Sequence, residues 1–139
     1  MKRLLFGVMA LAAASISPAL SQGTIVGPGN LIICTKIANM AVGPTAITQV
    51  IALVTGQAIH ICGWHITNTG ATGTYSISYG TGSNCGTGTT VIITTQNVTS
   101  TAPSADHPQY ATFSLPVSNA LCVTPSVATI AATIYYAQF

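Results

Sequence analysis

An all-β domain, a two-sheet β-sandwich of the jelly-roll type with about eight strands, is the fold class this sequence predicts, stapled by two disulfides between its four cysteines. Three observations predict it. No window carries apolar residues at helical spacing, while short β-branched and aromatic runs recur between clusters of Gly, Pro, Thr and Asn. Tyr75, Ile77 and Tyr79 alternate with Ser76 and Ser78, and Phe113, Leu115 and Val117 alternate with Ser114 and Pro116. Each is the pattern of a strand with one wet face. Cys34, Cys62, Cys85 and Cys122 form an even set in a chain that opens like an exported one, the setting in which disulfides form.

Residues 1–21 have the pattern of a signal peptide. Lys2 and Arg3 precede an apolar run from Leu4 to Leu20; Pro18 breaks it, and Ala19-Leu20-Ser21 places small residues where a signal peptidase reads. Cleavage after Ser21 leaves residues 22–139 as a single β-sandwich domain. The alternative is a retained hydrophobic segment. As a membrane span it sits at the bottom of the range of roughly 17–25 residues, and it carries Ser15, Ser17 and Pro18. Only if it is retained does a membrane enter as a partner.

Strands are predicted over residues 31–37, 47–54, 58–67, 74–79, 89–95, 110–117, 120–124 and 127–139. Each is rich in Ile, Val, Thr or aromatic residues, which suit a pleated, half-buried surface. Pro116 cannot donate to a ladder, so its strand belongs on an edge or carries a bulge. Gly56-Gln57, residues 70–73 and Ser118-Asn119 are expected to be tight connections between neighbouring strands. Jelly-roll wiring sends alternate strands to opposite sheets. It puts the third strand in the same sheet as the first, which makes Cys34–Cys62 feasible, and the seventh beside the fourth, whose exit loop carries Cys85, which makes Cys85–Cys122 feasible. The sequence alone leaves all three pairings open.

Charge excludes several functions. The chain has three Lys+Arg and one Asp+Glu, 3% charged, where an ordinary domain carries about 25%. At 49% hydrophobic it lacks the composition of a disordered chain. Asp106 is the one carboxylate side chain, so a single subunit cannot supply the carboxylate pair of a glycosidase or an oxygen cage for Mg²⁺ or Ca²⁺. Lys2, Arg3 and Lys36 are the only permanent cations, too few and too scattered for a nucleic-acid groove. Beyond residue 21 only Lys36 and Asp106 carry charge, so nothing repels one copy from the next. A surface buried against copies of itself or another protein is expected.

The remaining constellations are weak as chemistry. His60-Ile61-Cys62-Gly63-Trp64-His65 contains no Cys-x-x-Cys pair. On an extended strand His60 and Cys62 share a face that His65 does not, so a zinc site there needs a bulge. The Gly-rich stretch of residues 80–88 lacks the third glycine, the helix and the lysine of a phosphate loop. A long turn pinned at Cys85 is the expected reading. A serine hydrolase would use Asp106 with His60, His65 or His107, but no Gly-x-Ser-x-Gly elbow exists. Asp106-His107, between Pro103 and Pro108, reads as a surface turn. No catalytic, cofactor or metal residue is therefore assigned. Trp64, Tyr75, Tyr79, Tyr110, Tyr135 and Tyr136 could build a sugar-stacking face. Tyr75, Tyr79, Asn84, Tyr135 and Tyr136 are the candidate binding surface, with Tyr135 and Tyr136 on opposite sheet faces and Trp64 expected to pack on a disulfide in the core. Asn97-Val98-Thr99 fits a glycosylation sequon.

A further pattern runs through the chain: Ile32-Ile33-Cys34-Thr35; Gln57 to Trp64 with Cys62; Tyr79-Gly-Thr-Gly-Ser-Asn-Cys85-Gly-Thr-Gly88; Asn119-Ala-Leu-Cys122-Val; and Tyr136-Ala-Gln-Phe139. In these residues it resembles a family of small cysteine-containing β domains found in bacteriophage genomes and phage-derived bacterial loci. The resemblance implies a virion-associated structural role, as a capsid decoration or tail-associated component, and brings no catalytic residues with it. The expected function is a non-enzymatic structural protein that assembles with itself or with other virion or surface proteins. The alternative is a secreted bacterial surface or carbohydrate-binding sandwich module, including a filament-forming one, with glycan as partner. Export to the cell surface, periplasm or medium is expected, or residence on a virion if the gene is a phage gene.

Overall fold

The computed structural model describes residues 26–27, 31–106 and 111–139. The leader over residues 1–21, His107 and Tyr110 lie outside the described residues.

A two-stranded ribbon, β1 (Val26–Gly27) with β2 (Leu31–Ile32), precedes two larger antiparallel sheets. The first sheet runs β3 (Lys36–Met40), β11 (Ile130–Gln138), β5 (Ile59–Asn68), β8 (Ser104–Asp106), and β9 (Phe113–Ser114) also pairs with β5. The second runs β4 (Thr48–Ile51), β10 (Ala120–Pro125), β6 (Thr72–Thr81), β7 (Thr87–Thr99). The period of two decides what goes inside. On β11, Ile130, Ala132 and Ile134 are buried while Ala131, Thr133 and Tyr135 are half-buried on the other face. On β6, Tyr75 and Ile77 are buried between half-buried Thr74 and Ser76.

The core lies between the sheets. Met40, Ile59, Ile61, Trp64, Ile66, Ile130 and Ile134 meet Ile51, Tyr75, Ile77, Val98, Leu121 and Val123 from the facing layer. Burying each such aliphatic side chain contributes about 1.5–3 kcal/mol. One polar chain crosses this layer. The Trp64 indole N–H donates to the Tyr75 hydroxyl at 3.2 Å, and that hydroxyl lies 2.6 Å from Ser104 Oγ. A tyrosine of one sheet is thus held by two residues of the other, which satisfies its buried oxygen.

Both disulfides form, Cys34–Cys62 and Cys85–Cys122, with Cα atoms 6.0 and 6.3 Å apart. Every residue of β10 from Ala120 to Val123 is fully buried. Leu121 and Val123 face the main core, while Ala120 and Cys122 face outward into a second apolar cluster with Cys85, Ile47 and Leu53. The 80–88 loop folds over the outer face of its sheet and is bonded there. This requires glycine at position 80, where a Cβ would sit 2.9 Å from the carbonyl oxygens of Cys85 and Thr87.

Several expectations are corrected. The first predicted strand, 31–37, divides into β2 and β3, which extends to Met40, with Cys34 in the gap. The sixth, 110–117, is represented by β9 alone, which stops before Pro116, and β8 is an additional short strand. The turns at Gly56-Gln57, 70–73 and Ser118-Asn119 join β4 to β5, β5 to β6 and β9 to β10, each pair split between opposite sheets, so they are crossings between layers and not hairpins. Trp64 does not sit on a disulfide: Cys62 lies outside the core cluster that Trp64 joins, and Trp64 packs 6.3 Å from the Phe113 ring.

Candidate functional site

β5 carries one more residue than its partner β11, since Tyr135 pairs with Gly63 and Tyr136 with Ile61. The bulge at Cys62 lets Ile61 and Trp64 both face the core and turns His60 and His65 away from it together. This corrects the alternation expected for His60, Cys62 and His65. The Cys62 sulfur is nevertheless committed to Cys34, and among the described residues no three His, Cys, Asp or Glu side chains gather as a metal site.

His60 is buried, 8% exposed, against β9 and the C-terminal residue. Its Nδ1 lies 2.6 Å from Ser114 Oγ, its ring stacks on Phe139 with centroids 4.4 Å apart, and its buried Nε2 has no hydrogen-bond partner among the described residues. The His60–Ser114 pair ties β9 to β5. Burial disfavours the imidazolium and lowers the His60 pKa below its usual 6.5. The folded protein therefore refuses a proton that the unfolded chain accepts, so this contribution to stability is intact above pH 6.5 and is lost as pH falls toward the folded pKa. The midpoint of thermal unfolding is expected to drop between pH 7 and pH 5, with a shallower drop in His60→Gln; equal slopes in differential scanning calorimetry would refute this origin.

The five candidate binding residues do not share a surface. Tyr75 is 1% exposed and belongs to the core, which removes it from any binding face. Tyr79 is half-buried and packs against the same core, as does Tyr136 from the opposite sheet, where the Lys36 ammonium sits 6.0 Å from its ring centroid. Tyr135 is half-buried on the other side of β11. Asn84 has a structural task. It adopts a left-handed conformation (φ 50°, ψ 43°), and its Oδ1 accepts the Gln49 N–H at 3.2 Å, beside the bulge that separates β4 from regular pairing with β10. A stacking platform needs coplanar exposed rings, and these residues supply none in common.

What the fold does present is edges. β3 is five residues long and bears Lys36; β4 is four residues long and bulged. β8 and β9 are three and two residues long. All are the blunted edges that natural sheets use. β7 is longer, 13 residues without charge or proline and paired among the described residues with β6 alone, though it too is bulged, with three extra residues against β6. Residues 87–91 and 94–97 are exposed in runs on either side of half-buried Ile92 and Ile93, which pack on the core, and Val91 is 54% exposed. This edge is the candidate interaction site. Sequence reasoning found the strand but could not place it at an edge, because edge or centre is decided by topology.

Among known proteins, no family model and no curated protein matches the chain.

Proposed function

We propose that this is a non-enzymatic structural protein that works by assembling through its β domain, with a jelly-roll sandwich as the unit. The observation that carries the proposal is β7, a long uncharged open edge on a domain whose charged side chains beyond residue 21 are Lys36 and Asp106. The strand orders β3-β11-β5-β8 and β4-β10-β6-β7, in which the chain from β3 to β11 changes sheet at every step except β6 to β7 and β8 to β9, support the jelly-roll reading. Two disulfides point to an oxidising, extracellular environment. Together with the basic and apolar start of the chain they support export. The resemblance of the cysteine-bearing stretches to phage-borne β domains supports a place on a virion, as decoration or tail component.

The carbohydrate-binding alternative loses support from the burial of Tyr75 and the scatter of the remaining tyrosines. Size-exclusion chromatography with light scattering on the oxidised protein is the test. Species larger than one chain, growing with concentration, are expected; a monomer at every concentration, or saturable binding on a glycan array, would overturn the proposal.

A further inference from the structure

We infer that His60 is a proton-operated latch: taking up a proton frees the strap of residues 111–114 from β5 and opens the Cys34–Cys62 bridge to reductants. The inference does not depend on assembly. Few bonds hold the strap. The Thr112 N–H donates to Ile61 O at 2.8 Å and the Ala111 N–H to Ile32 O at 3.0 Å, while β9 itself is two residues long. Thr112 and Ser114 are exposed. Leu115, buried in the core and bonded to Ile59 O at 2.8 Å, is the fixed end. Short segments with exposed hydrogen bonds and few buried contacts are those that open locally while the rest stays folded. The bridge touches the groups the strap holds. Cys34 Sγ lies 3.4 Å from His60 O, and Cys62 Sγ lies 4.0 Å from the same Ile32 carbonyl that accepts the Ala111 N–H.

The closed site suits a neutral ring. Nδ1 meets the Ser114 hydroxyl at 2.6 Å, Phe139 covers the ring face, and Nε2 is enclosed without a partner among the described residues. An imidazolium has a donor on both nitrogens, so protonation buries a charge and leaves the Nε2–H unpaired. The surrounding elements offer little relief. β9 brings Ser114, β11 sets Ala137 opposite His60, and both bridge sulfurs are oxidised. Lys36 of β3 lies over the Tyr136 ring, and β8 sets Asp106 opposite Trp64, further along β5. The terminal carboxyl group of Phe139 accepts the Ala58 N–H at 2.8 Å. Burial prevails over these groups and lowers the His60 pKa. Hydration of the charged ring requires one cover to move. Phe139 continues the nine-residue β11 and exchanges backbone bonds of 2.8 and 3.3 Å with Ala58, so the strap moves first. The open form takes up a proton below pH 6.5, and its equilibrium constant rises by at most about tenfold for each pH unit below that.

The test is hydrogen exchange on the oxidised full chain at pH 7.5 and pH 5.5, corrected for intrinsic exchange rates. The Ala111 and Thr112 amides are expected to lose protection several-fold at pH 5.5, up to about tenfold, while the amides of Ile77 and Val123 in the facing sheet keep theirs. His60→Gln, which cannot take up the proton, is expected to show the same strap protection at both pH values. A phosphine reductant followed by alkylation and mass spectrometry reads the bridge. The rate of Cys34–Cys62 opening in the unaltered protein relative to His60→Gln is expected to rise several-fold from pH 7.5 to pH 5.5, a ratio that cancels the reagent's own pH dependence. Strap protection unchanged by pH, or an equal loss in His60→Gln, would overturn the latch. If His60→Gln does not fold, the unaltered protein still decides: a loss confined to the strap supports the latch, and an equal loss at Ile77 and Val123 overturns it.

Discussion

Reducing both disulfides is expected to unfold the domain at 37 °C, and the two bridges are expected to open in order. Cys34–Cys62 closes a separation of 28 residues and Cys85–Cys122 one of 37. In the chain-entropy account each restricts the unfolded ensemble by about 3.5–4 kcal/mol. Their sum is comparable to the whole stability of a small domain, about 5–15 kcal/mol. Access sets the order. Cys85 and Cys122 are both fully buried and sealed by Ala120, Ile47 and Leu53, whereas Cys34 is only half-buried. Thiolate attack needs a path to sulfur. With graded reductant, alkylation followed by mass spectrometry should therefore label Cys34 and Cys62 first. The pair Cys85→Ala/Cys122→Ala should lower the unfolding free energy by about 2–5 kcal/mol. Labelling of Cys85 and Cys122 first, or a double alanine variant as stable as the parent, would contradict this account of the 80–88 loop.

Asn68→Ala is expected to lose about 2–4 kcal/mol, read as a shifted denaturant midpoint at unchanged slope. Asn68 is 4% exposed at the end of β5, and its amide joins three segments. Nδ2 donates to Val98 O at 3.2 Å; Oδ1 accepts from the Gly70 N–H at 2.9 Å and from Thr129 Oγ1 at 2.6 Å. Alanine strands the buried Val98 carbonyl, while the turn groups regain some water. Asn68→Asp is the sharper probe. It keeps both acceptor bonds but sets a buried carboxylate against the Val98 carbonyl, so its folded pKa rises. Its destabilisation should be full at neutral pH and shrink as pH falls through the carboxylate range. A loss independent of pH would place the Asn68 side chain elsewhere.

Alternation around Tyr75–Tyr79 found β6, and β-branched composition found β7, because strand pattern is a local property. The partition into two sheets, with β6 and β7 together in one, and the bridges Cys34–Cys62 and Cys85–Cys122 join residues distant in the chain, and cysteine spacing alone leaves all three pairings open. Asn68-Thr69-Gly70 contains the local half of its network, the bond to the Gly70 N–H two residues on. The bonds to Val98 and Thr129 join positions 30 and 61 residues away, and nothing in the neighbourhood of Asn68 announces them. The burial of Tyr75 is hidden in the sequence for a related reason. An aromatic in an alternating strand suits a wet face or a core equally until the facing layer supplies partners, here Trp64 and Ser104. The bulge at Cys62 likewise depends on what β11 places opposite it.

On the proposed reading, uncharged strand and sheet surfaces bring copies of this domain together. Sedimentation equilibrium of the oxidised protein, at about 0.01 M and about 1 M salt, addresses it directly, since the screening length falls from about 30 to about 3 Å between them. Association of equal strength at both salts is the predicted result. A monomer under both conditions, or an assembly that dissolves as salt rises, would contradict it.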